Sequence, residues 1–312
     1  MQVTADRIVL LGTGGTIAGV APSAADHVGY QAAQLGVDRL LEGLPGLAGL
    51  QVVAEQVAQI DSKDMEPAVW RDLAGRCAHW LAQPDVQGIV VTHGTDTLEE
   101  TAYFLHRVLP AAKPVVLTCA MRPATALAPD GPQNIVDAIA VVRTPGARGV
   151  TVACAGTLHG AEHVRKVHPY RLDAFSSGDA GALGFIEEGR LRLVGEWPES
   201  AVDPGWAGRL GQVSAWPRVE LVSSHAGVTG RIVDLLVDDG VQGLVAIGTG
   251  NGTLHHRLEE ALLAALAKGV RVVRSTRCAE GAIVGEGATL LPASRQSPVK
   301  ARIDLLLELL AG

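Results

Sequence analysis

The sequence predicts an α/β protein with a larger N-terminal domain on a mostly parallel sheet and a smaller C-terminal α/β domain. Short β-branched runs alternate with stretches whose apolar residues recur every three or four positions, the pattern of strands joined by covering helices. From about Gly184 to Trp216 that alternation gives way to an irregular segment holding Pro198, Pro204 and many glycines, with Pro217 just beyond. A second, shorter alternation follows. The expected organisation is an N-terminal catalytic domain over residues 1–190, a linker over 191–216 and a C-terminal domain over 217–312.

Taken in order, Ile8 to Leu11, Gln51 to Val57, Gly88 to Thr92, Pro114 to Thr118 and Gly149 to Ala153 read as strands. Glu66 to Gln83 and Leu98 to Leu109 read as helices between them, with Pro67 suitably close to a helix start. In the second set Val219 to Ser223, Gly243 to Ile247 and Val270 to Arg274 read as strands, and Leu258 to Lys268 and Lys300 to Leu310 as helices. There is no internal repeat and no low-complexity tract.

The chain has 312 residues, 47% hydrophobic and 19% charged, a composition that fits about two globular domains. A formal net charge of -7 with scattered Lys and Arg argues against a polyanion as partner. Cys77, Cys119, Cys154 and Cys278 are widely spaced without a C-x-x-C pair, and read as reduced, structural thiols. No apolar stretch approaches the about 18 to 20 residues that span a bilayer. The first strand starts almost at Met1, leaving no room for a secretory leader, so a cytoplasmic protein is expected.

Two segments carry the chemistry, Gly12-Thr13-Gly14-Gly15-Thr16-Ile17-Ala18-Gly19 and Thr92-His93-Gly94-Thr95-Asp96-Thr97, each directly after a strand candidate. Open α/β sheets bind ligands beyond the carboxyl ends of their strands, so both segments converge hydroxyls on such a crevice. The glycines allow positive φ and close backbone approach. A dinucleotide fingerprint fails because Ile17 stands where the third glycine of G-x-G-x-x-G belongs. Thr95-Asp96 also reads as a helix cap, with Glu99 and Glu100 in the following first turn, a role compatible with catalysis. Read singly, Lys166 is a solvated lysine, Tyr30 a half-buried loop aromatic and Ser62 a turn residue. His159, His163 and His168 raise a metal reading, but three or four convergent ligands are needed and there is no H-E-x-x-H.

These motifs, together with Asp61-Ser62-Lys63-Asp64-Met65, Ala120-Met121-Arg122-Pro123 and Asp130-Gly131-Pro132-Gln133-Asn134, resemble the bacterial-type L-asparaginase family. The similarity is dense in the N-terminal domain and thinner beyond it, at Gly248 to Gly252 and Val272 to Arg277. The resemblance implies an amidohydrolase that cleaves L-asparagine to L-aspartate and ammonia, with weaker action on L-glutamine and no cofactor. It implies Thr16 as nucleophile, Tyr30 as the lid tyrosine touching it, Thr95 as the second hydroxyl and Lys166 as acceptor of the Thr95 proton. A lysine acting as base must be desolvated or crowded by cations. Asp96 would hold the substrate ammonium and Ser62 its carboxylate, while backbone amides near Thr95 and Ala120 serve the oxyanion. A homotetramer is implied, with Thr253 and an acidic residue of the 278–287 loop, Glu280 or Glu286, reaching a neighbouring subunit's site.

Two positions depart from the family pattern. Lys63 stands where a glutamine or glutamate approaches the substrate ammonium, and Thr253 replaces an asparagine or serine. The alternative reading is a non-catalytic asparagine or aspartate sensor, or an amidotransferase-type subunit. Retention of Thr16, Thr95, Asp96 and Lys166 together favours the hydrolase.

Overall fold

Apolar runs at 86–92 and 114–118 become strands buried almost from end to end, because helices cover both faces of a parallel sheet. The computed structural model describes residues 6–44, 47, 49–199, 202–203, 205–285 and 289–312. Pro204 and Glu286, both singled out in the sequence, lie outside the described residues. The chain divides into two compact units, Met1–Gln212 and Val213–Gly312.

The first unit runs β1 (Arg7–Gly14), α1 (Val37–Leu41), β2 (Gln51–Ile60), α2 (Pro67–Leu81), β3 (Val86–Thr92), α3 (Leu98–Val108), β4 (Pro114–Thr118), α4 (Gly131–Val142) and β5 (Gly149–Cys154). Shorter pieces follow: β6 (Thr157–Gly160), β7 (Arg165–Lys166), β8 (Phe175–Ser176), β9 (Gly184–Glu187), β10 (Arg190–Leu193) and α5 (Trp206–Gly211). Eight strands form one sheet in the order β10-β9-β6-β5-β4-β3-β1-β2; β2 through β5 in that order are parallel and the β6, β9, β10 edge is antiparallel.

From β1 the chain passes to β2 on one side, then crosses to β3 on the other. That reversal opens a crevice beyond the carboxyl ends of β1 and β3, the usual ligand position in such sheets. β2 lies at the open edge and has no fully buried residue along its length. The residues between 191 and 216, expected as a linker, hold most of β10, which pairs with β9 in the main sheet, and the short helix α5.

α4 is absent from the sequence reading. Asp130 sits at its N-cap and Pro132 in its first turn, but Ala138 to Val142 is apolar on every side, which erases the helical stripe. The helix is buried against Ile17, Val90 and Val116, so an all-round apolar surface fits its place.

The second unit runs β11 (Val219–Ser223), α6 (Arg231–Asp238), β12 (Gly243–Gly248), α7 (His256–Ala267), β13 (Arg271–Thr276) and α8 (Pro298–Ala311). Its sheet is parallel in the order β11-β12-β13, over a core of Val222, Val233, Leu244, Leu258 and Leu262. Cys77, Cys119 and Cys154 are buried free thiols and Cys278 is exposed.

Candidate active site

The end of β1 is shaped by glycines that no other residue can replace. Gly14 and Gly15 take φ of 100° and 80°, and a Cβ on Gly15 would overlap the backbone of Gly94. The loops after β1 and β3 therefore touch main chain to main chain, and Thr16 and Thr95, each next in sequence, are carried to one place. Thr13 Oγ1 donates to the Thr92 carbonyl at 3.0 Å, and Gly15 N donates to the Ile60 carbonyl at 2.9 Å. These bonds tie β1 to β3 and β2.

Thr16 opens a single 3₁₀ turn, Thr16–Ala18, and is buried. Its hydroxyl shares a 2.7 Å hydrogen bond with Tyr30 Oη. Tyr30 is brought back by a bridge between Val20 and Gln31, whose two N–H···O bonds are both 2.9 Å.

On the β3 side, Lys166 Nζ donates to Thr95 Oγ1 at 2.8 Å and to Asp96 Oδ1 at 2.6 Å. Lys166 comes from β7, some seventy residues on, and is mostly covered, while the Asp96 carboxylate is half exposed. Ser62 sits in the turn after β2, is buried, and its Oγ accepts from Asp96 N at 3.2 Å. Thr97 Oγ1 donates to the Ser62 carbonyl at 2.7 Å. Ala120 is buried beyond the end of β4, near Gly131 and Ile17 at the start of α4.

Lys63 turns to its own side of the chain, with Nζ 2.6 Å from Asp61 and 3.2 Å from Asp64. Those two carboxylates, Asp61 first, raise its pKa above the ordinary lysine value. The Lys63 charge is thus already compensated within its own turn.

Beneath the Thr95 loop runs a buried chain that the sequence reading does not contain. Trp70 Nε1 donates to Thr101 Oγ1 at 2.8 Å, Thr101 Oγ1 is 2.9 Å from His93 Nε2, and His93 Nδ1 is 2.7 Å from the Gly94 carbonyl. A carbonyl only accepts, so Nδ1 carries the proton and Nε2 accepts from Thr101. Loss of water pushes the His93 pKa down to about 4, so the ring is neutral near pH 7. Its sequence signal is the His93 to Thr101 spacing across a helix start, meaningful only once Trp70 is placed.

The ends of β4 and β5 are joined through Asn134, which donates to the Cys119 carbonyl at 2.9 Å and accepts from Ala155 N at 3.0 Å. The Cys119 thiol is pushed well above its ordinary pKa by the neighbouring Cys154 and by burial. A thiolate is therefore disfavoured at Cys119. His159 is buried against Ser177 Oγ at 2.9 Å, and among the described residues no group of three or more His, Cys, Asp or Glu side chains could hold a metal.

In the second unit Thr253 closes a tight turn with Thr249, through paired backbone bonds of 2.8 Å and a 2.9 Å contact between the two hydroxyls. Arg274, almost fully buried, donates to the Leu291 carbonyl and to the carbonyls of Asn251 and Gly252, and so supports that turn. Glu280 is exposed.

Comparison with known proteins adds to this geometry. The model of the family "Asparaginase, N-terminal" matches residues 7–199, and that of the "Glutaminase/Asparaginase C-terminal domain" matches residues 218–312. The chain is 35% identical over 310 residues to "L-asparaginase 2" of Bacillus subtilis, covering 97% of this chain and 82% of that protein. It is 36% identical over 286 residues to "Glutaminase-asparaginase" of Pseudomonas fluorescens, covering 89% and 77%. The crystal structure of a probable cytoplasmic L-asparaginase from Campylobacter jejuni superposes with a TM-score of 0.90 at 35% identity, over 97% of this chain and 94% of that one.

Proposed function

This chain belongs to the asparaginase family, and from that premise we propose that it hydrolyses the side-chain amide of L-asparagine to L-aspartate and ammonia, with L-glutamine as a weaker substrate. The observation that carries the reading is the Gly15 to Gly94 backbone contact, which sets a Thr16–Tyr30 pair beside a Thr95–Lys166–Asp96 cluster.

An amide is a poor electrophile, so the reaction needs an activated nucleophile, a proton for the departing ammonia and donors for the oxyanion. Thr16 Oγ1 attacks the amide carbon as its proton passes to Tyr30 Oη, 2.7 Å away, and the Tyr30 hydroxyl gives its own proton on to the departing nitrogen. Backbone amides at Thr95 and Ala120 serve the developing oxyanion. The C–N bond breaks, ammonia leaves with a proton, and an ester remains on Thr16. Water then cleaves the ester, returning a proton to Thr16. Thr95 is the second hydroxyl of the cycle, and Lys166 takes its proton when the amine is neutral; Asp96, 2.6 Å from Nζ, keeps the amine in place.

Ser62 binds the α-carboxylate and Asp96 the α-ammonium, so that ligands lacking either charge leave a site group unpaired. Thr253, and an acidic residue of the 278–287 loop, Glu280 or Glu286, complete a neighbouring site in a homo-oligomer, a dimer or tetramer. The location given in the name of the Campylobacter jejuni structure supports a cytoplasmic protein, and among the described residues no helix is long and apolar enough to cross a membrane.

Ammonia release from L-asparagine, L-glutamine and D-asparagine tests this, measured beside Thr16→Ala. Release from L-asparagine that vanishes in the variant is expected. A variant that keeps more than a small fraction of activity removes Thr16 from its role, and no release by the unmodified protein sinks the hydrolase.

A further inference from the structure

Residues 20–30, from the end of the Thr16 turn to Tyr30, form a loop outside the main sheet that is closed by the bridge between Val20 and Gln31. Within this segment Asp26 makes a local knot, its Oδ1 accepting from Val28 N at 2.9 Å and Gly29 N at 2.7 Å. That knot gives the segment a shape but does not hold it down. Three bonds to the loop 123–128, some hundred residues away, do. Ala124 N donates to the Gly19 carbonyl at 2.9 Å, Leu127 N donates to the Ala24 carbonyl at 3.0 Å, and Ala21 N donates to Thr125 Oγ1 at 2.8 Å.

The loop that receives the segment is itself braced at both ends. Asp130 accepts from the amides of Met121 and Arg122 at 2.9 Å, and Arg122 Nη1 donates to the Ala128 carbonyl at 3.0 Å. One of the three tethers ends on Gly19, against which the Tyr30 ring packs: a Cβ there would sit 2.9 Å from Tyr30 Cδ2. A pull on the tethers is therefore felt at the ring that contacts Thr16.

We infer that the 123–128 loop is a latch holding the Tyr30-bearing segment over Thr16, and that Thr125, its side-chain member, is a positioning residue for the hydrolysis; this rests on the function proposed above. Two of the tethers are backbone to backbone and survive any side-chain change. Thr125 is exposed, so replacing it leaves the core untouched and alters only the third tether.

The test compares the full-length protein with Thr125→Val and Thr125→Ser, by hydrogen exchange over residues 19–31 and by L-asparagine kinetics. Valine removes the acceptor and serine keeps it. One exposed neutral hydrogen bond corresponds to roughly a threefold change. Exchange across 20–30 should therefore quicken about threefold in the valine variant, and kcat/KM should fall, by up to about threefold, because Tyr30 is placed less accurately over Thr16. Serine should restore both, at an unchanged unfolding temperature. Exchange altered at Ala21 alone, equal behaviour of the valine and serine variants, or unchanged kcat/KM beside faster exchange each overturns the latch. If the unmodified protein releases no ammonia, the proposed function fails and Thr125 loses its positioning role, while the exchange comparison still decides whether the loop holds the segment.

Discussion

Acid should destabilise this protein well before its carboxylates titrate, because two neutral imidazoles are built into the first unit. His93 and His159 are both almost fully buried, and loss of water lowers each from the ordinary 6.5 to about 4. For a group with a depressed folded pKa, the unfolded chain binds the proton first. Each histidine's contribution is therefore fully present above pH 6.5 and is lost as the pH falls from 6.5 to about 4. A drop of about 2.5 units at about 1.4 kcal/mol per unit makes each worth about 3 kcal/mol at the acid end. Together they give a slope of about 2.5 kcal/mol per pH unit in mid-window.

Paired carboxylates such as Glu55, held low by the Arg76 guanidinium, add their loss further into acid, whereas burial raises Asp137 and works the other way. Urea unfolding from pH 7.5 to 4.5 reads the histidine window directly, beside His159→Asn, which keeps a polar partner for Ser177 without a titrating ring. The unmodified protein should lose about 5 kcal/mol over that range and the variant about half as much. Stability flat within about 1 kcal/mol between pH 7 and pH 5, or equal slopes for the two proteins, would refute the reasoning.

Two further changes probe the site. Gly15→Ala puts a Cβ into the Gly94 backbone at a φ of 80°, so one of the two loops must retreat; a loss of kcat of about a hundredfold is expected, with the circular dichroism spectrum retained. Activity within about threefold of the unmodified protein would separate the loop contact from catalysis. Lys63→Gln removes an exposed cation already paired with Asp61 and Asp64, so kcat on L-asparagine should change by less than about threefold, while the ratio of L-asparagine to L-glutamine turnover shifts more. A large loss of kcat with an unchanged ratio would show that Lys63 is not a specificity residue.

Legibility in the sequence follows how local each cause is. The strands Pro114–Thr118 and Val219–Ser223 end where the β-branched runs end, because a central parallel strand is defined by its own apolar residues. The first strand extends beyond its apolar run to Gly14, since Gly12 and Gly14 pair through backbone atoms that composition does not reveal. The antiparallel strands β6, β9 and β10 have four residues each, too short for a period of two to emerge from His159, Gly160 and Arg190. α6 hides in the same way, a short helix whose Gly230 N-cap makes no side-chain bond.

The site divides along the same line. Its residue types are written locally, as a glycine-rich turn after one strand and a threonine and aspartate after another. What brings them together is not local: Gly15 meets Gly94 across seventy-nine positions, Lys166 reaches Thr95 across 71, and Trp70 reaches Thr101 across 31. None of these partners is implied by its neighbours in sequence. The topology supplies the missing step, because the chain leaves β1 for β2 and crosses to β3, so the two loops face one crevice. The buried Trp70–Thr101–His93 chain then fixes the Gly94 carbonyl from below. The glycine contact sets how near the hydroxyls come and the histidine chain sets how steady Gly94 is, so Gly15→Ala and Thr101→Val should differ in kind: the first displaces a loop, the second frees it.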